Sequence, residues 1–352
     1  MQRRIKAIVF PRPNEVALQT FAMPDCGPDE VVCESIYSFV SPGTELRILA
    51  GSRESAGKFP LIPGYSWVGR VIEVGSNLRG WSEGDLVSGR NPIPVPGAGF
   101  MWGGQASHHR CEVTGYDSVL KLPPGADPWN YVPTEVAAIS WRGASIAFAR
   151  SGETAVVIGQ GLVGAFAARW LMLMGARVIA VDTVASRLER AGRWGAAAVV
   201  DALGPDTREQ ILAQAPGGAD IVIEASGSRG GVELANAVLR QPEARRTHSD
   251  YPVARLHADA HYWPRLVYLA TYSHTHQIEP GEFSGGEGAV VLKPSDRTVG
   301  DRLAVMEQIR LGLLPLGDIV AAPTPVAQAP EAYFELRDNP HSRSTIVFDW
   351  RA

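Results

Sequence analysis

The chain has 352 residues, with 33 lysines and arginines against 37 aspartates and glutamates for a formal net charge of −4. Hydrophobic residues at 45% and charged residues at 20% exclude a disordered or fibrous chain, and the mild negative balance leaves no broad footprint for nucleic acid or an anionic membrane. Three dispersed cysteines, Cys26, Cys33 and Cys111, are too few for a disulfide framework, and no apolar run approaches the ~18 residues of a membrane span. A soluble, cytoplasmic protein of two domains is expected.

Met1-Gln2-Arg3-Arg4 leads into the alternating run Ile5 to Phe10, which predicts a strand rather than a secretory leader. Further short alternating runs follow at Glu30 to Val40, Trp67 to Val74 and Asp85 to Ser88. They are separated by turn residues such as Gly75-Ser76-Asn77, which predicts a β-rich domain. From about Pro133 the period changes. Glu135 to Arg150 has helical spacing and meets a stop at Gly152. Strands are then expected at Thr154–Gly159, Arg177–Asp182, Ala197–Val200 and Asp220–Ser226. Helices are expected between them at Gly161–Gly175, Ser186–Trp194 and Asp206–Ala215. That alternation predicts an α/β doubly wound parallel sheet. The next strand is due between Gln241 and Ala254, but Pro-Glu-Ala-Arg-Arg-Thr-His-Ser-Asp is a poor strand sequence. Arg265–Tyr272 predicts a strand, Gln277 to Arg297 a long loop, and Val299 to Leu311 an amphipathic helix. The expected division is a β-rich domain from 1–135 and 273–352, interrupted by a nucleotide-binding domain from 136–272.

The strongest motif is Gly159-Gln160-Gly161-Leu162-Val163-Gly164, which follows the apolar run Ala155 to Ile158 and opens a helix. A Gly-x-Gly-x-x-Gly sequence carries weight only in that context. Gly159 permits the tight turn, Gly161 lets a pyrophosphate approach the backbone, and Gly164 allows close helix–strand packing. The helix start at Leu162 and Val163 offers N–H groups and a positive dipole end to the phosphates. Asp182 closes the second strand 18 residues after Gly164, where a carboxylate bonds the adenosine ribose and repels a 2′-phosphate. NAD is therefore expected over NADP. Arg187, just beyond that strand, leaves NADP open, since an arginine there pairs with a 2′-phosphate or is simply a solvated helix residue.

Several pieces, in order, carry a resemblance to a known family: Pro63-Gly64-Tyr65-Ser66-Trp67-Val68-Gly69, Val74-Gly75-Ser76, Glu83-Gly84-Asp85-Leu86-Val87, the nucleotide turn, Ser186 to Ala191 and Gly218 to Gly227. Together the chain resembles the medium-chain dehydrogenase/reductase family of zinc alcohol and sorbitol dehydrogenases. The resemblance implies a GroES-like β-rich catalytic domain, a Rossmann domain, a homodimer, and contacts to the cofactor from Ser226, Gly227 and Arg47. In zinc members a Cys-Gly-Thr-Asp segment supplies the first ligand, but this chain has Pro42-Gly43-Thr44-Glu45. The histidine of Gly-His-Glu supplies the second, but here the triplet is Gly64-Tyr65-Ser66. Glu135 falls where sorbitol-type members place a further carboxylate ligand, and the four-cysteine lobe is missing. The chain is therefore similar to a zinc-lacking branch that includes sugar (glycoside) and bacteriochlorophyllide hydroxyethyl dehydrogenases, which oxidise secondary alcohols to ketones.

Without zinc, side chains must hold the alcohol oxygen and take its proton. Thr44, Tyr65, Glu135 and Glu45 are the catalytic candidates implied, with no choice among them as base. For Tyr65 the alternative is a residue filling the space of the metal, and for Glu45 a structural salt bridge. Trp102, His261, Tyr262 and His274 are candidate substrate contacts, Trp102 as part of an aromatic floor with Trp141 and Trp263. No metal site is expected. The reading is an NAD-dependent dehydrogenase of a sugar, cyclitol or related ring; the alternatives are an NADPH-dependent enoyl or quinone reductase and a nucleotide-binding protein without turnover.

Overall fold

A computed structural model describes residues 3–52, 55–240, 263–272, 289–294, 296–339 and 342–352. The chain divides into two compact units, Met1–Val136 with Thr298–Ala352, and Ala137–Arg297.

The first unit opens with an antiparallel hairpin of β1 (Arg3–Val9) and β2 (Ala17–Met23). Next come β3 (Glu30–Phe39), α1 (Pro42–Leu49), β4 (Leu61–Ile62), β5 (Trp67–Val74), β6 (Leu86–Gly89), β7 (Gly99–Phe100), β8 (His108–Glu112), β9 (Leu120–Lys121) and the short α2 (Pro128–Tyr131). In β3, alternation places Val31, Cys33 and Ser35 on one face. Register shifts between Val32 and Cys33, and between Ser35 and Tyr37, bend it against β5. Ser41 is extended at the N-cap and Pro42 occupies the first helical turn, where a missing N–H costs nothing, so α1 starts directly after β3.

The division between the units falls within α3 (Thr134–Ile146). The second unit then alternates: β10 (Thr154–Ile158), α4 (Leu162–Leu173), β11 (Arg177–Asp182), α5 (Ala185–Arg193), β12 (Ala198–Asp201), α6 (Thr207–Gln214), β13 (Ile221–Glu224), α7 (Arg229–Val238), β14 (Arg265–Tyr268) and β15 (Val290–Leu292). These strands form one sheet in the order β12-β11-β10-β13-β14-β15, with every pairing parallel. Ala155, Val156 and Val157 in β10 and Ile221, Val222 and Ile223 in β13 are fully buried, as expected of central strands covered on both faces.

The return to the first unit supplies α8 (Val299–Arg310), β16 (Thr324–Pro325), α9 (Ala329–Asp338) and β17 (Val347–Asp349). Its main sheet runs β16-β17-β3-β5-β6-β9, with β8 also on β3. Phe10, Leu49, Tyr333 and Phe348 share one apolar core, with the Phe10 and Tyr333 rings edge-on at 5.3 Å. This core seats α1 against α9.

The fold class matches the expectation, but two expectations about the tail change. The return lies at 297–298 rather than 272–273, because Val290–Leu292 extends the parallel sheet beyond Arg265–Tyr268. Those three residues are a strand within the stretch expected to be loop. The strand due at 241–254 lies outside the described residues.

Candidate active site

In the second unit the turn after β10 is locked from several sides. Gly159 has φ +90°, and a Cβ there would lie 2.7 Å from the Ser226 nitrogen. At Gly164 a Cβ would lie 1.8 Å from the Gly159 carbonyl oxygen, so only glycine lets α4 approach the turn this closely. A Cβ on Gly161, the N-cap of α4, would meet nothing within 4 Å, so the backbone there is open to an incoming group, with Leu162 and Val163 beginning the helix. Asp182 is 6% exposed; its Oδ2 accepts from the Gln160 N–H at 2.5 Å and its Oδ1 from the Val184 N–H at 2.9 Å. Arg190 donates to the Gln160 carbonyl at 2.5 Å. The Arg187 guanidinium is 3.6 Å from Asp182 Oδ2, so this arginine is held by the carboxylate rather than merely solvated. Ser226 and Gly227 abut the turn, but their N–H groups donate to the buried Glu224 carboxylate at 2.8 and 3.1 Å. Those two donors are thus committed to their own loop.

In the first unit the candidate polar group gathers at the start of α1. The Tyr65 hydroxyl donates to Ser41 Oγ at 2.7 Å and also bonds Thr44. Tyr65 is 5% exposed, and burial pushes its phenol above the ordinary range. Trp102, at φ +70°, meets the Tyr65 ring edge-on at 5.5 Å, and the Arg90 guanidinium lies 5.3 Å from the ring centroid. Glu45 sits one turn behind and is fully buried. Its Oε1 accepts from the Ser41 N–H at 2.8 Å, and its Oε2 accepts from the Tyr333 hydroxyl at 2.5 Å and the Gln105 amide at 3.3 Å. Burial pushes the Glu45 carboxyl up to about 7. A neutral phenol held by two hydroxyls can donate a hydrogen bond to a substrate oxygen; its conjugate base can accept a proton.

The expected residues divide accordingly. Tyr65, Thr44 and Trp102 come together, and Glu45 reaches Tyr65 through Ser41. The salt bridge expected for Glu45 is replaced by three neutral donors. Glu135 does not number among the groups acting on Tyr65. It is fully buried, its Oε1 2.5 Å from Arg302 Nε, while Arg302 also donates to the Ser118 and Ser88 carbonyls at 2.7 and 3.2 Å. That ion pair ties α8 to the start of α3. Arg47 is half-buried in the last turn of α1. Within the second unit, Trp141 packs edge-on against Trp170 at 5.4 Å. His261, Tyr262 and His274 lie outside the described residues. Ser41, Gln105, Tyr333, Arg90, Gln160 and Arg190 were not singled out from sequence. Only Ser41, an N-cap type before a proline, carried a local signal. Among the described residues no three or more His, Cys, Asp or Glu side chains gather as a ligand set for a metal ion.

Residues 27–126 match the alcohol dehydrogenase GroES-like domain, and residues 163–242 match the zinc-binding dehydrogenase domain. A Mycobacterium tuberculosis protein named probable zinc-binding alcohol dehydrogenase is 32% identical over 248 residues, 64% of this chain and 62% of that protein. D-guloside 3-dehydrogenase of Escherichia coli (strain K12) is 32% identical over 173 residues, 49% of this chain and 45% of that protein. The matched stretches thus span less than two thirds of either relative. A Sinorhizobium meliloti structure described as a zinc-binding dehydrogenase bound to NADP superposes with a TM-score of 0.79 at 20% identity, covering 99% of this chain and 100% of that one. With both domain types matched in order on one chain, and the parallel sheet and its glycine turn in place, the chain belongs to the medium-chain dehydrogenase/reductase family of oxidoreductases.

Proposed function

We propose that this protein is an NAD-dependent dehydrogenase that interconverts a secondary alcohol of a sugar, cyclitol or related ring and its ketone, with Tyr65 rather than zinc facing the reacting oxygen. One observation carries the reading. The positions that hold zinc ligands in the family's metal-dependent members are Pro42, half-buried in the first turn of α1 without a donor atom, and Tyr65, whose hydroxyl is engaged with Ser41 and Thr44. Zinc favours thiolate, imidazole or carboxylate, and this pair does not fit it.

The nicotinamide cofactor, when bound, accepts or supplies the hydride. The open backbone at Gly161 and the first N–H groups of α4 fit its pyrophosphate, and Asp182, held by the Gln160 and Val184 N–H groups, fits the adenosine ribose. Arg187 offsets part of the Asp182 charge, so discrimination against NADP should be modest. Ser41 and Thr44 orient the Tyr65 oxygen. In reduction the neutral phenol donates its proton to the ketone oxygen; in oxidation the phenolate takes the proton of the alcohol. Because burial raises Tyr65, alcohol oxidation should quicken toward alkaline pH as the phenolate fraction grows. The relative named D-guloside 3-dehydrogenase supports a ring secondary alcohol as the substrate class.

The test is a screen of glycosides and cyclitols with NAD and with NADP, read by reduced-nicotinamide absorbance. Turnover of a ring alcohol with NAD preferred is expected. Reduction of activated C=C bonds by NADPH alone would overturn the reading.

A further inference from the structure

Arg90 follows β6, with a side chain only 8% exposed, and its guanidinium lies over the face of Tyr65, 5.3 Å from the ring centroid. Its backbone is fixed, because the buried Trp67 indole donates to the Arg90 carbonyl at 3.2 Å. Asp117 Oδ1 lies 3.9 Å from Arg90 Nε, and Asp117 Oδ2 accepts from Asn91 at 2.7 Å, so that carboxylate braces the arginine at longer than bonding range. From α1 the Tyr65 oxygen is met by Ser41 and Thr44, with Glu45 behind them and Tyr333 of α9 behind Glu45. Trp102 closes the ring edge without charge. Among the described residues, Arg90 is therefore the cation that acts on Tyr65, against Glu45 as the carboxyl.

We propose that Arg90 is a positioning residue for the reaction, whose fixed positive charge stabilises the deprotonated form of Tyr65. A charge at this range in a largely dry setting acts strongly on the phenolate and little on the neutral phenol. Burial opposes ionisation and Arg90 counters it, so the tyrosine stays usable as a base. This rests on the role given to Tyr65 above.

The test follows Tyr65 directly, by NMR titration of the full chain labelled with carbon-13 at the hydroxyl-bearing ring carbon of tyrosine. Tyr65→Phe assigns the signal, and circular dichroism marks the alkaline limit of the fold. Arg90→Met is expected to raise the Tyr65 midpoint by about one pH unit, ten-fold in the ionisation constant. Arg90→Lys keeps the charge and should restore most of the wild-type midpoint, although it loses the planar stacking. Asp117→Asn, which frees Arg90 of an opposing charge, should lower the midpoint, and it decides the matter if Arg90→Met does not fold. A midpoint indifferent to these changes, or a Tyr65 signal that does not titrate before the fold is lost, overturns the proposal. Turnover of glycosides with NAD by Tyr65→Phe at the wild-type rate would instead sink the functional reading, while the Arg90 effect on the tyrosine would still be measurable.

Discussion

Glu45 gives the most quantitative prediction. It has no exposed surface, and its three partners, the Ser41 N–H, the Tyr333 hydroxyl and the Gln105 amide, are all neutral. Burial raises its carboxyl from 4.5 to about 7, with the donors pulling part of the way back. The folded state therefore binds a proton that the unfolded chain has already lost between these two values. Stability from this group is highest below the unfolded value, falls as pH rises through the interval, and stays lower above it. A rise from 4.5 to about 7 corresponds to roughly 3 kcal/mol. Glu45→Gln keeps the shape but cannot ionise. It should lose about 1 kcal/mol from an altered bond to Tyr333, independent of pH. Urea unfolding of both proteins, followed by tryptophan fluorescence from about pH 4.5 to about pH 8, reads the effect. The wild type should lose roughly 3 kcal/mol more than Glu45→Gln across that interval. Parallel stability curves would show that Glu45 ionises normally and refute the reasoning.

Three further predictions concern other parts of the molecule. Gly164→Ala forces a Cβ toward the Gly159 carbonyl and should cost about 3 kcal/mol or more in urea unfolding, together with NAD affinity by calorimetry. Asp182→Ala removes the ribose acceptor and the brace of the Gln160 N–H, and should cut kcat/KM with NAD by about 10- to 100-fold while leaving NADP little changed. An equal loss with both cofactors would refute the ribose assignment. Arg302→Met strands the buried Glu135 charge and should cost about 3–5 kcal/mol, most of it recovered in the Glu135→Leu, Arg302→Met double variant. A double variant that is stable but inactive would return Glu135 to the chemistry.

What could be read in advance depended on how local the signal was. The glycine turn and Asp182 are legible because an apolar strand, three glycines at fixed spacing and a second strand end fall within one short stretch of chain. The parallel sheet is legible for the same reason: its central strands are continuous apolar runs alternating with helices. The tail is not, because β15 is three residues long with its middle residue, Val291, 46% exposed, and neither length nor alternation marks it. The chemistry around Tyr65 is only half legible. Thr44 and Tyr65 stand out against the family pattern, whereas Tyr333 reaches Glu45 from 288 residues away and Gln105 from 60. No spacing rule predicts such contacts. The surroundings of Glu135 were illegible for a related reason: a family offset marks the carboxylate, but its ion-pair partner Arg302 arrives from the distant return segment.

The claim that Tyr65 stands in for the metal is tested most directly by one paired measurement. Wild type and Tyr65→Phe are exhaustively chelated, their zinc content is determined by mass spectrometry, and NAD turnover with the glycoside and cyclitol panel is recorded. Wild-type turnover is expected to persist with far less than one zinc per chain, and Tyr65→Phe to lose roughly 100-fold or more in kcat. Activity that vanishes with the metal and returns with added zinc, or a Tyr65→Phe variant as fast as wild type, would contradict the account.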